Sequence, residues 1–235
     1  MPPGRAMPGP SCSRRSVHGT HTMRVPSLYG LSRSVYTRIA RLALEEKGVA
    51  YELEEVEIFG AAGLPEGHLD RHPFGRIPAF THGKFSLYET VAITRYVDEA
   101  FPGPALQSAE PKARSRMTQV ISIMDAYAYR PMVWGVFVQR VVTRREGEAP
   151  DEATIRESLQ AAGTCLEVLD AGLQNCRFLA GDGLSLADLH AVPMLLYFSL
   201  TPEGANLLAS HRRLNLWLEK MVARPSVMRT RSVYE

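Results

Sequence analysis

The spacing of apolar residues changes period several times along the chain, and each change marks an element. Residues 24–29 (RVPSLY) form a short extended run that stops at Gly30. Pro26 places that run at a sheet edge, or confines the strand to the residues after the proline. From Val35 to Lys47 the period becomes helical: Ile39, Leu42 and Ala43 share a face, Glu45, Glu46 and Lys47 point away, and Gly48 supplies the stop. Residues 51–58 alternate apolar and polar, the mark of a half-buried strand. Residues 59–75 are rich in Gly and Pro and read as a loop, with one helical turn at 66–69. Residues 76–80 and 85–87 make a hairpin across 82–84, and residues 89–100 return to helix with Val91, Ile93, Tyr96 and Val97 apolar.

A linker with two prolines and a glycine follows at 101–110, and the rest is helical. Residues 111 to about 145 make one long helix opened by Pro111 in its first turn, with Pro131 expected to kink or break it. In residues 151–174 the apolar side chains Ile155, Leu159, Ala162, Leu166, Leu169 and Leu173 line one stripe. Shorter helices follow at 185–200, 202–208 and 214–223. The expected architecture is α/β followed by all-α: a βαβ-ββα unit over 23–100, the linker at 101–110, and a helical bundle over 111–235. Residues 1–22 are rich in Pro, Gly, Ser and Arg and too poor in apolar groups to offset their ordering entropy, so a disordered tail is expected there.

Charge narrows the possible partners. The net charge of +2 comes from that tail, since Arg5, Arg14 and Arg15 face no acid there, while the remainder balances to −1. The folded part therefore lacks the basic excess of a nucleic-acid binder. No apolar run is long enough to span a bilayer. Cys12, Cys165 and Cys176 form no Cys-x-x-Cys pair, and an odd count is no secreted disulfide framework, which points to reduced thiols and a cytoplasmic setting. The seven histidines show no ligand spacing, so no metal site is expected.

Three places carry chemistry. In LYGLSRS (28–34) a strand ends and a hydroxyl lands just before a helix, where unpaired N–H groups and the helix dipole stabilise a thiolate. A serine there is equally an ordinary N-cap. In HPFGRIPAF (72–80) Pro78 opens a strand after a loop and is a candidate cis proline. A cis bond there exposes the backbone of Ile77 to a peptide ligand pairing as an added strand. In YETVAI (88–93) Glu89 and Thr90 stand at a helix start. Glu89 suits an ammonium; Thr90, which can cap the helix, and the free N–H groups suit a carboxylate.

Together these motifs resemble the glutathione transferase family, from residue 23 to about 230. Further likenesses are EEKG (45–48), LYETVAITRYVDEAFP (87–102) and FLAGDGLSLADLHAVP (178–193). The resemblance implies a thioredoxin-like first domain with Pro78 in the cis form. It implies glutathione as co-substrate, its γ-glutamyl group held by Glu89 and Thr90 and its cysteinyl part paired with the Ile77 backbone. Ser185 and Asp188 match the family's N-capping box.

Serine-type subfamilies, such as phi, theta and zeta, place their catalytic hydroxyl where Ser34 falls, with Ser32 next; Tyr29 matches the tyrosine-type place. No cysteine lies nearby, which argues against thiol-exchange members. Where phi members offer a His-Lys pair for the glycine carboxylate this chain has Gly63-Leu64, leaving Arg76, Arg33, Arg38 and His72 as cations within reach. Tyr127, Arg130 and Trp134 share one helix face and are the expected lining of a cleft for a small hydrophobic electrophile. The resemblance also implies a homodimer. Other readings stay open: a glutathione-dependent isomerase, dehalogenase or ether lyase on the same fold, a non-catalytic interaction module, and a ligand carrier.

Overall fold

The computed structural model describes residues 25–60, 63–145 and 147–235. The tail expected over 1–22, with Cys12, and the Arg24 end of the first strand lie outside the described residues.

The first half contains β1 (Ser27–Tyr29), α1 (Val35–Lys47), β2 (Glu52–Glu54), α2 (His68–Arg71), β3 (Ala79–His82), β4 (Phe85–Tyr88) and α3 (Thr90–Ala100). The strands form one mixed sheet in the order β2-β1-β3-β4, with β1 parallel to β2 and antiparallel to β3. Thus β1 is an interior strand rather than an edge. Pro26 stays outside its donor ladder and only accepts, from Glu52 N–H at 3.0 Å. β2 is shorter than its alternating pattern predicts. Its one partner, β1, ends at Tyr29, and the last bond runs from Gly30 N–H to the Glu54 carbonyl at 2.9 Å. β3 begins later than expected, because Pro78 has no N–H to give the ladder. The Ile77–Pro78 bond is cis.

α1 begins and ends where its caps say it should. Ser34 is the N-cap, and Gly48, at φ 68°, takes the left-handed turn that closes the helix. Val35, Ile39, Leu42, Ala43 and Leu44 are all buried, because α1 packs on α3 on one side and on the central helix of the second half on the other. Burial of each large aliphatic chain is worth about 1.5–3 kcal/mol. That two-sided burial fixes the position of Ser34.

The second half opens with α4 (Pro111–Ile123). The winding then widens into π-helix over Met124–Ala128 and Arg130–Val142, and closes in α5 (Thr143–Arg145). Of the kink or break expected at Pro131, the break does not occur: the winding continues through it. The rod is already wide-turned when it reaches the proline, so the ring meets an opened turn instead of a tight one. At Gly135 the rod meets its neighbour so closely that a Cβ would lie 1.9 Å from Ser158 Oγ.

That neighbour is α6 (Glu152–Gly172), followed by α7 (Leu186–Ser199), α8 (Pro202–Ser210), α9 (Arg212–Val222) and α10 (Pro225–Arg229). α10 carries no signal in the apolar pattern. α7 is the central helix, buried from Leu186 to Phe198. Its buried first turn is held by the expected capping box. Asp188 accepts from Ser185 N–H at 2.9 Å, Ser185 Oγ–H at 2.8 Å, Leu179 N–H at 2.9 Å and Trp217 Nε1–H at 3.0 Å. No helix among the described residues is long and apolar enough to cross a membrane.

Candidate active site

A cavity of about 390 Å³ opens where the sheet's cis-proline edge meets the π-wound rod. Ser34, Arg76, Ile77, Pro78, Glu89 and Thr90 line it together. Among the described residues neither the Ile77 N–H nor its carbonyl has a hydrogen-bond partner, so both are free for a ligand backbone.

The start of α3 is built differently from the expected Thr90 cap. Glu89 is the N-cap and makes no side-chain cap bond, and Thr90 is the first helical residue. The first bond of the helix runs from Ile93 N–H to the Glu89 carbonyl at 3.0 Å, which leaves the preceding N–H groups unpaired. Glu89 has φ 68° and ψ 117°, outside the regions that L-residues favour. Holding a non-glycine residue there costs about 1–3 kcal/mol and marks a position that the surroundings over-determine.

Two side chains not foreseen as site residues, Tyr36 and Asp125, also line this cavity, and His190 stands behind them. Tyr36 donates to Asp125 Oδ1 at 3.1 Å, and the fully buried His190 places Nε2 at 3.6 Å from the same oxygen. Burial, reinforced by Asp125, pushes the Tyr36 hydroxyl up, so it stays a phenol. Asp125 did carry a signal: it is the one acid in the run VISIMDAYAY (120–129). His72 is a buried wall of the cavity, and that burial pushes it down, against the pull of Glu89, so it stands there as neutral imidazole.

The other cations sort themselves by partner. Arg33 pairs with Glu57 at 2.5 Å, and Arg38 is buried against Glu235. Arg76 lines the cavity, is exposed, and makes no ion pair among the described residues.

A second cavity of about 390 Å³ adjoins the first. The two share Ser34, Phe59, Tyr129 and Trp134, and the second adds Leu31, Val133, Phe137, Val138, Tyr197 and Tyr234. Tyr197 donates to the Arg33 carbonyl at 2.6 Å, and burial pushes its hydroxyl up to about 12.

Of the three residues expected on the rod's cleft face, only Trp134 lines a cavity; Tyr127 and Arg130 are exposed and line neither. Wide winding is the reason. It brings residues four and five apart onto one face, so Asp125, Tyr129 and Trp134 line up instead. Tyr29 and Ser32 also line neither cavity. The Tyr29 ring sits 4.5 Å beneath the Arg71 guanidinium, and the Ser32 N–H donates to Glu55. Among the described residues no cluster of His, Cys, Asp or Glu could hold a metal ion.

Ser34 therefore stands at the junction of a polar cavity and an apolar one, at the N-terminus of a buried helix. Its Oγ accepts from Thr37 N–H at 3.4 Å, and its proton is free to be donated.

Two family models match this chain: the N-terminal domain of glutathione S-transferases over residues 28–105, and the C-terminal domain over 116–225. Glutathione S-transferase F13 of Arabidopsis thaliana is 31% identical over 204 residues, covering 86% of this chain and 93% of the relative. A solved structure of glutathione S-transferase I with lactoylglutathione superposes with a TM-score of 0.78 at 30% identity, covering 88% of this chain and 98% of that one. Glutathione S-transferase I from mais, in complex with an atrazine glutathione conjugate, also gives 0.78 at 30% identity, covering 88% and 96%.

Proposed function

We propose a serine-type mechanism for this chain, which belongs to the glutathione S-transferase family and is a glutathione transferase. The observation that carries it is the place of Ser34, the side chain at the α1 N-terminus that lines both cavities.

Glutathione lies along the cis-proline edge. Its cysteinyl backbone pairs with Ile77, and its γ-glutamyl carboxylate meets Thr90 and the free N–H groups of α3. Glu89 takes the ammonium, with Asp125 as a second carboxylate in the same cavity. Arg76, the cation left unpaired there, takes the glycine carboxylate. The glutathione sulfur then sits at Ser34, whose O–H donates to it. A free thiol has a pKa of about 8.5, and this donor together with the helix N-terminus lowers it. The thiol proton leaves to solvent, the thiolate forms a C–S bond with a small hydrophobic electrophile in the apolar cavity as the bond to its leaving group breaks, and the protein supplies charge stabilisation and alignment.

The test is calorimetric titration with glutathione and with its glycine ethyl ester, then conjugation of an aryl halide followed by absorbance. Tight binding of glutathione, weaker binding of the ester and turnover are expected. Binding without turnover would refute the activation step. Equal affinity for the ester would remove Arg76 from carboxylate recognition.

Phe74 and Tyr88 are exposed, with their rings 6.2 Å apart. An apolar patch of this kind supports a homodimer, the first half of one copy against the helices of the other. Sedimentation of a monomer at micromolar concentration would refute it. The free thiols of Cys165 and Cys176 fit a reducing, cytoplasmic setting, which fractionation of the cell would check.

A further inference from the structure

Arg38 lies one turn into α1, its N–H bonded to the Ser34 carbonyl at 2.9 Å, and it is fully buried. Its side-chain partners among the described residues all come from 227–235. They are the Val227 carbonyl at 3.2 Å, Thr230 Oγ1 at 3.5 Å, and the Glu235 carboxylate, whose Oε2 is 3.1 Å away. Residues 232–235 are also folded on themselves. Ser232 Oγ–H donates to Glu235 at 3.3 Å, Tyr234 N–H to Ser232 Oγ at 3.3 Å, and Glu235 N–H to the Ser232 carbonyl at 3.2 Å. A buried guanidinium stripped of its carboxylate is strongly unfavourable, so Arg38 dictates where this segment lies.

That placement decides where Tyr234 goes. Its ring sits edge-on to Phe137 at 5.2 Å and to Tyr197 at 5.8 Å, with the Arg145 guanidinium 4.9 Å from the ring centre. It thereby forms part of the wall of the apolar cavity that Ser34 also lines. Ser34 and Tyr234, almost the whole chain apart in sequence, are thus both positioned from α1. Phe59, Trp134, Phe137 and Tyr197 line the same space among aliphatic side chains, and their faces and edges suit a planar ring.

Resting on the transferase reading above, we propose that Tyr234 is a specificity-determining residue for flat aromatic electrophiles, and that the buried Arg38–Glu235 pair is the positioning device that holds it. Removing the ring enlarges the cleft and takes away a contact surface for a single-ring substrate, while the glutathione cavity is untouched. Weakening the ion pair leaves the ring present but loosely placed.

The experiment compares full-length wild type, Tyr234→Phe, Tyr234→Ala and Glu235→Gln. For each, kcat and KM are measured with chlorodinitrobenzene and with the bulkier fused-ring chloronitrobenzofurazan, together with KM for glutathione. In Tyr234→Ala the ratio of kcat/KM values should move toward the fused-ring substrate by about tenfold. The change should lie in the electrophile KM, with the glutathione KM unchanged. Tyr234→Phe should keep the wild-type ratio, and Glu235→Gln should move it the same way by less. An unmoved ratio in Tyr234→Ala, or electrophile and glutathione KM rising together, would overturn the proposal. Should Tyr234→Ala not fold, Tyr234→Leu, which removes the ring but keeps more of the packed volume and leaves the Arg38–Glu235 pair in place, decides by the same ratio. Wild-type turnover is read first: its absence would remove the transferase reading and this one with it, whereas normal turnover with an unmoved ratio removes only the role of Tyr234.

Discussion

Replacing Ser34 by alanine tests the mechanism most directly, because the proposed mechanism gives its hydroxyl two separable duties. As N-cap it accepts from Thr37 N–H at 3.4 Å, a long bond, so its loss should cost folding only about 0.5–1 kcal/mol, the low end for caps. As donor to a thiolate it makes a charge-assisted hydrogen bond worth about 1.5–3 kcal/mol. At about 1.4 kcal/mol per pKa unit, the bound glutathione thiol should rise by about one to two units. At neutral pH the thiolate fraction, and kcat/KM with it, should then fall by about tenfold to a hundredfold. The assay is twofold: ultraviolet absorbance of the thiolate in the enzyme–glutathione complex against pH, and the pH profile of kcat/KM over the same range. Both should shift upward by the same amount, and the deficit should shrink at alkaline pH, where the thiol ionises unaided. Glutathione affinity should stay within a few fold. A deficit that persists at alkaline pH, or a rate loss with no shift of the thiol, would refute the argument and leave Ser34 a positioning group.

Three further outcomes concern other parts of the site and fold. Glu89→Gly should relieve the backbone held at φ 68° and raise stability by up to about 1 kcal/mol, while weakening glutathione binding at least about tenfold; thermal melting and calorimetry on one sample would show whether gain and loss separate in this way. His72 is kept neutral by burial, so below pH about 6.5 the unfolded chain takes a proton that the folded chain refuses. Stability should therefore drop as pH falls from about 6.5 through the lowered folded value, and His72→Gln should flatten that part of the melting curve; an identical slope would sink the assignment. Asp188→Ala leaves the donors of Ser185, Leu179 and Trp217 without their acceptor in a buried site and should cost about 1–3 kcal/mol for each orphaned donor, offset in part by the loss of a buried carboxylate, read by urea unfolding, with any surviving folded fraction still binding glutathione.

The first half is largely legible in the sequence because its signals are local. α1 is announced by its caps, Ser34 and Gly48, and by Ile39, Leu42 and Ala43 between them. The hairpin of β3 and β4 is announced by Gly83, and the cis bond by the place of Pro78. Strand lengths are not legible, since β2 stops where β1 runs out of partners and not where its own alternation ends. The apolar pattern misleads at Pro131 because nothing in it reports a change of helical pitch. An ordinary pitch groups Trp134 with Tyr127 and Arg130, whereas the wide turns group it with Asp125 and Tyr129. Tyr36, Asp125 and His190 escape notice for another reason. Each looks like an ordinary helix residue alone, and they meet only once α1, the rod and α7 are packed together.

The double duty that the proposed mechanism assigns to Ser34 also bears on how this protein can be changed. Asparagine and aspartate rank beside serine as caps, so either would hold the start of α1 about as well. Neither can replace the donor: aspartate has no proton to give at neutral pH and sets a negative charge beside the thiolate, and asparagine is a weaker, larger amide. Threonine alone keeps both functions. An engineering campaign that selects only for heat resistance would therefore accept aspartate at position 34 as a neutral change and discard the chemistry without any sign in its own readout. Residues whose structural and chemical roles reside in one atom have to be screened for activity, because stability is blind to half of what they do.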